Sequence, residues 1–432
     1  MNIPLFFLRT PYRVREYMLE DDKDYSLKST EILSPYKRTQ KSCSEYYLAE
    51  NHIESPIEGL GQTAVPNTYV KMEDDFQSRV YNGRFFSNGD FYYCSSQDEI
   101  KIYDVSDTEN WKCVNSFVAR GVSWTITDVD LSPDENFLVY SSMNPVINII
   151  KLNSDAISST FTFSTDQHSI LLNQIDPGYG IFSCEFSGSG TEVLVGTRIQ
   201  TLEIHDLVKK KLAYRALNAH DDDINTACFA SEGSQVIYSG SDDSLIKIWD
   251  RRVSGSVSQG VLIGHREGIT YLSSKGNGLN LISNGKDQCI KLWDIRKLMS
   301  PSESRDFIRS HQYQMGFDYR MGRYPLENYH KLLAADNSVT TFKGHKVLGT
   351  LIRCHFSPLE TTGQRYIYTG GADGKVWIYD SLTGKTIQTL QYEEAEENEY
   401  EDTVCRDVSW HPYRPMIAAT SFSGSIYQYS YV

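Results

Sequence analysis

The chain has 432 residues and a net charge of −14, with 40% hydrophobic, 23% charged and 12% aromatic residues. That length holds two or three average domains or one large closed β architecture, and the 29 tyrosines and 18 phenylalanines favour strands. The negative balance argues against direct nucleic-acid binding, and no apolar run approaches the roughly 18 residues of a membrane helix.

Eight cysteines are scattered with no Cys-x-x-Cys pair, and Cys184, Cys228, Cys289 and Cys354 lie in apolar runs. Buried, reduced thiols are expected rather than a disulfide frame or a metal site, which points to an intracellular protein. Pro4-Leu5-Phe6-Phe7-Leu8 is too short for a signal-peptide core. Residues 1–64 are charged, serine-containing and weakly periodic, and read as an arm, partly disordered until bound. A short amphipathic docking segment around Arg9 to Leu19 is a second reading of the same stretch.

From residue 65 to 432 strand-like segments follow one another. Pro66 to Met72 alternates but has no repeat unit of its own. Ser95 to Ile100 leads to Tyr103-Asp104, Phe137 to Ser142 leads to Ile147 to Leu152, and Glu192 to Thr197 leads to Leu202 to Asp206. Residues 239–250 read Ser-Gly-Ser-Asp-Asp-Ser-Leu-Ile-Lys-Ile-Trp-Asp, and 283–294 read Ser-Asn-Gly-Lys-Asp-Gln-Cys-Ile-Lys-Leu-Trp-Asp. Trp249 and Trp293 are 44 residues apart, one four-stranded blade. Next comes a surplus at about 298–336, rich in Arg and Tyr and including Arg320 and Arg323. It reads either as a partner surface or as a solvated flap. Gly344-His345 leads to Thr369, Asp373 and Trp377 to Asp380, and Ile417 to Gly424 leads to Tyr429.

Between these last two units, residues 393–402 hold seven acids in ten, among them Glu393, Glu394, Glu396 and Glu397. The run is a solvated loop or an attractor for a basic partner segment. Gly384-Lys385-Thr386 lacks the glycine a phosphate loop needs five residues earlier, and Gly188-Ser189-Gly190 reads as a hairpin turn.

The spaced His and Trp-Asp signals resemble the WD repeat. Positions equivalent to the Trp are Tyr103, Ile150, His205, Trp249, Trp293, Tyr379 and Tyr429, so the fold expected is all-β, a seven-bladed WD-repeat β-propeller. Pro66 to Met72 is expected to complete the last blade and remove its open edge. The resemblance implies hydrogen-bonded sets within blades: His220–Ser239–Asp243–Trp249, His265–Ser283–Asp287–Trp293, and His345–Thr369–Asp373 with Tyr379. The same histidines and aspartates could be read as catalytic pairs. Enzymatic propellers gather carboxylates or metal ligands at the channel, however, and no such cluster is marked here, so no catalytic residue, metal or cofactor is expected. Ser423 and Ile199 stand where the turn Asp of two further blades belongs.

Trp249-Asp250-Arg251-Arg252 and Trp293-Asp294-Ile295-Arg296 resemble the Trp-Asp-x-Arg box of WD-repeat substrate receptors of cullin-4 RING ubiquitin ligases. His220 to Asn225, Phe317 to Arg320, Phe356-Ser-Pro358 and Arg406 to Pro412 are similar to one branch of that family, and the plant embryo-abundant WD proteins look similar too. The resemblance implies docking of Arg252 and Arg296 on the damage-specific DNA-binding adaptor protein of a cullin-4 ligase. It also implies recruitment of a protein substrate and residence in nucleus and cytoplasm; the arm at 1–64 carries no motif of the family, and adaptor docking is a further reading of it. A plain scaffold in a nuclear chromatin or RNA-processing assembly is the alternative.

Overall fold

The computed structural model describes residues 65–152, 167–172, 178–253, 257–304, 318–320, 324–325, 333–391 and 403–431. Among them, twenty-eight strands form seven antiparallel four-stranded sheets. The architecture is the seven-bladed propeller expected from the repeat, and the seven Trp-equivalent positions each fall in the third strand of a blade. Six blades are consecutive in sequence, spanning 82–118, 126–171, 181–216, 224–262, 269–343 and 354–390. The seventh takes three strands from 405–430 and its fourth from Thr68–Asp75. Thr68 pairs with Ser430 and Tyr69 with Tyr429, and the Tyr69 ring packs against Tyr427 and Tyr429. The early alternating segment therefore closes the last sheet and removes a free edge.

Burial grades outward within each blade, as the sequence pattern dictates. Innermost strands such as Ile224–Phe229 are buried throughout because they are packed between neighbouring blades, whereas the outermost Lys112–Val118 and Lys211–Ala216 are largely exposed. All described cysteines are unpaired, and every one except Cys113 is buried.

The inner strands pose a particular problem, since the N–H groups on their channel-facing edge have no further strand to pair with. Side chains of the preceding blade accept those bonds. Asp407 accepts from Gly83 and Ser409 from Phe85, at 3.3 and 3.1 Å. Asp128 accepts from Cys184 at 2.9 Å and Asp130 from Phe186 at 2.8 Å. Ser183 accepts from Ala227 at 3.2 Å and Thr226 from Leu272 at 3.1 Å. Polar residues at alternate positions of the inner strands thus fasten blade to blade.

Each inner strand begins on the face that carries the crossovers between blades and the turns joining second to third strands. We call this the entry face. The turns joining first to second and third to fourth strands lie on the opposite, exit face.

Candidate protein-docking site

The repeat's hydrogen-bonded sets are complete in blades four and five. His220 Nδ1 lies 2.8 Å from Asp243 and its Nε2 2.7 Å from Ser239, whose hydroxyl also accepts from Trp249 Nε1 at 2.8 Å. His265 is 3.0 Å from Asp287 and 2.6 Å from Ser283, which accepts from Trp293 Nε1 at 2.7 Å. Burial alone would push both carboxyls up, but the facing imidazoles and further hydrogen bonds hold Asp243 and Asp287 below the usual carboxylate range. Each set is buried and internally satisfied, so it ties a crossover loop to its blade and offers no open face to a substrate.

Blade six departs from the expected set. His345 Nδ1 meets the Tyr379 hydroxyl at 3.1 Å, and its Nε2 turns to Asn284 of blade five at 2.9 Å. Thr369 donates instead to the carbonyl of Arg353 at 2.8 Å, and Asp373 receives the Lys375 N–H at 3.4 Å and no imidazole. The cause is the aromatic at the Trp position. An indole N–H donates to the hydroxyl beside it, whereas the longer phenol reaches past Thr369 to the histidine itself. Burial pushes His345 down to about 4, so it is neutral at pH 7. Asp373, without an imidazole, is pushed up by burial.

Arg252 and Arg296 sit just beyond the third strands of blades four and five, on the exit face. Each folds back onto its own blade. Arg252 bonds Asp250 through Nε at 2.8 Å and Nη2 at 2.6 Å, and Arg296 bonds Asp294 at 2.9 and 2.6 Å. The Arg252 fork holds the Asp250 carboxyl down at about 2. These side chains remain 64% and 70% exposed while their aspartates are 19% and 14% exposed. Two of the five guanidinium N–H donors are thereby used and the rest point outward. The aspartates act as clamps that hold two adjacent guanidinium groups in a fixed pose. Arg251 between them faces inward and ties blade four to Glu192 of blade three at 2.5 and 2.8 Å.

The insertion at about 298–336 leaves from the face of Arg252 and Arg296, and its described residues lie at the blade's outer edge and on the entry face. Met299 bridges to Val261, and Leu333 packs with Leu245, Val261 and Ile263. Tyr319 lies buried on the entry face, where Lys286 Nζ stands 4.2 Å from its ring centre and its carbonyl accepts from Gly349 at 3.0 Å. Arg320 is exposed beside Tyr319. Arg323 and the acidic run with Glu393, Glu394, Glu396 and Glu397 lie outside the described residues.

The channel holds a polar cluster that the sequence reading missed. Arg353 of blade six donates to Asp128 of blade two at 2.6 Å and pairs with Asp407 of blade seven at 3.5 Å. Asp407 also bonds His355 at 2.9 Å. Arg406 donates to the Tyr81 carbonyl and Asn82 side chain at 2.6 Å each, and Arg84 pairs with Asp130 at 3.2 Å. The available signal was charge at alternate positions of otherwise apolar strands, as in Asp128-Val129-Asp130 and Arg353-Cys354-His355. Among the described residues no His, Cys, Asp and Glu group is arranged to hold a metal ion. No helix among them is long and apolar enough to cross a membrane.

Comparison with known proteins bears on this arrangement. Residues 211–250, 256–294 and 336–380 match the model of the WD domain, G-beta repeat. Each match begins at or shortly before the last strand of one blade and ends in the third strand of the next, so the sequence repeat is offset from the blade by one strand. The chain is 43% identical over 364 residues to the LEC14B protein of Lithospermum erythrorhizon, covering 83% of this chain and 74% of that one. A LEC14B homolog of Prunus armeniaca is 40% identical over 83% of this chain and 73% of its own length. A DDB1- and CUL4-associated factor 11 homolog of Caenorhabditis elegans is 32% identical, over 81% of this chain and 61% of its own.

Proposed function

We propose, from the premise that the chain belongs to the LEC14B family of WD-repeat proteins, that it is the non-catalytic substrate-recognition subunit of a cullin-4 RING ubiquitin ligase. It docks on the damage-specific DNA-binding adaptor through the Arg252 and Arg296 turns and presents protein substrates for ubiquitination and degradation, in nucleus and cytoplasm. The nematode relative's name associates that protein with such an adaptor and cullin. The observation that carries the reading is the matched pair of exposed guanidinium groups, each clamped by its own aspartate on neighbouring blades of one face. Preset guanidinium forks make bidentate bonds to partner carboxylates or carbonyls at a low entropic cost.

Affinity purification from the native cell tests it. Adaptor and cullin should co-purify with the full chain, and a variant carrying Arg252→Ala and Arg296→Ala should lose both while melting unchanged. Recovery of chromatin or RNA-processing proteins without adaptor or cullin would instead make the chain a plain scaffold.

A further inference from the structure

A cavity of about 160 Å³ lies in the channel between the Arg353 bridge and the exit-face ends of the inner strands. Its wall includes Arg84, Asp130, Glu185, Thr226, Tyr271 and Ser273. Three of the channel's four carboxylates follow one rule: each accepts an inner-strand N–H and also meets a guanidinium. Asp128 takes Cys184 and Arg353, Asp130 takes Phe186 and Arg84, and Asp407 takes Gly83 and Arg353. Glu185 lines the same cavity, yet among the described residues it has no ion-pair partner. Four carboxylates (Asp128, Asp130, Glu185, Asp407) thus face three guanidinium groups (Arg84, Arg353, Arg406). Asp407 meets His355 as well, so of these four carboxylates Glu185 is the one that no cationic side chain meets among the described residues. A second vacancy lies opposite: Arg353 is 5% exposed, and its Nε, in the cavity wall, has no acceptor.

We infer that this cavity receives the side chain of a lysine or arginine carried on a partner polypeptide and inserted from the exit face, with its cationic tip at Glu185. A cation supplies the partner that Glu185 lacks, and the hydroxyls of Ser183, Thr226 and Ser273 offer further acceptors to its N–H groups. The Arg353 bridge, with Arg406 beside it, closes the channel beyond and sets the depth. Burial and the charge of Asp130 push the empty Glu185 carboxyl well up, and a cation at the tip draws it back to the ionised form. The inference stands apart from the adaptor reading, since it uses neither Arg252 nor Arg296.

The test is fluorescence polarisation on the full chain with four labelled peptides, Gly-Ser-Gly-X-Gly-Ser-Gly, where X is lysine, arginine, norleucine or citrulline. The lysine and arginine peptides should bind saturably, and the uncharged norleucine and citrulline versions should not. Glu185→Gln keeps the size and polarity of the side chain, so it should melt as the parent does and weaken the cationic peptides at least about tenfold. Ser273→Leu, which narrows the cavity without touching an ion pair, should do the same and serves if Glu185→Gln fails to fold. Equal binding of norleucine and lysine peptides, no loss in either folded variant, or no saturable binding at millimolar peptide would overturn the inference.

Discussion

Arg353 and Asp128, 225 positions apart in the chain, close on each other at 2.6 Å across the central channel. Blade six is thereby joined to blade two through the middle of the ring, in addition to the contacts between adjacent blades. Both side chains are nearly inaccessible, at 6% and 9% exposure. Truncating one partner leaves a buried charge uncompensated, which typically costs about 3–5 kcal/mol. Arg353→Met should therefore lower the unfolding free energy by about that much, measured by chemical denaturation. A loss under about 1 kcal/mol would mean the bridge contributes little beyond packing.

The blade sets differ in what a single hydroxyl supports. Ser283 serves both His265 and Trp293, whereas Thr369 serves only main-chain carbonyls. Ser283→Ala strands two buried groups and should cost about 2–3 kcal/mol, against about 1 for Thr369→Val. Equal costs in thermal and denaturant melts would contradict the divergence seen in blade six.

Acid stability should carry the same distinction. Asp243 and Asp287 have folded pKa values held below the unfolded value, so their contribution is full above about pH 4 and is lost as pH falls through the folded pKa. Asp373 is shifted upward, so its ionisation opposes folding as pH rises above about 4. Asp287→Asn should flatten the acid limb of a stability-versus-pH curve, and Asp373→Asn should not. Matching acid limbs in the two variants would count against these assignments.

At the docking face the test of geometry is lysine. Arg252→Lys with Arg296→Lys keeps the charge but not the fork, and should weaken adaptor binding at least about thirtyfold by titration. Melting temperature should barely move, because exposed pairs contribute little to stability. Full binding by the double lysine variant would reduce the turns to a diffuse positive patch.

Closure can be tested by truncation. Removing residues 1–60 should leave a cooperatively melting ring, while removing 1–78 deletes Thr68–Asp75 and bares the edge of Ser425–Ser430. Light scattering should report aggregation only for the longer deletion. A monomeric 79–432 fragment would show that the seventh blade tolerates an open edge.

Much of this protein was legible from its residues in order. Blade number, strand alternation, the closing role of the segment near Tyr69 and the sets around Trp249 and Trp293 all rest on local periodicity, which one strand and its turn carry by themselves. The Trp-Asp-x-Arg turns were equally visible, because clamp and arginine are two residues apart. Three features depended on tertiary structure. The redirected His345 needs Asn284 of another blade, and only packing decides whether a phenol stops at Thr369 or passes it. The contacts of Met299 with Val261 and of Leu333 with Ile263 lie along an apolar strip of blade four's edge that sequence order does not bring beside them. The channel cluster gathers Asp128, Arg353 and Asp407 from three blades, and the ion pairing that makes their burial tolerable exists only once the ring has closed.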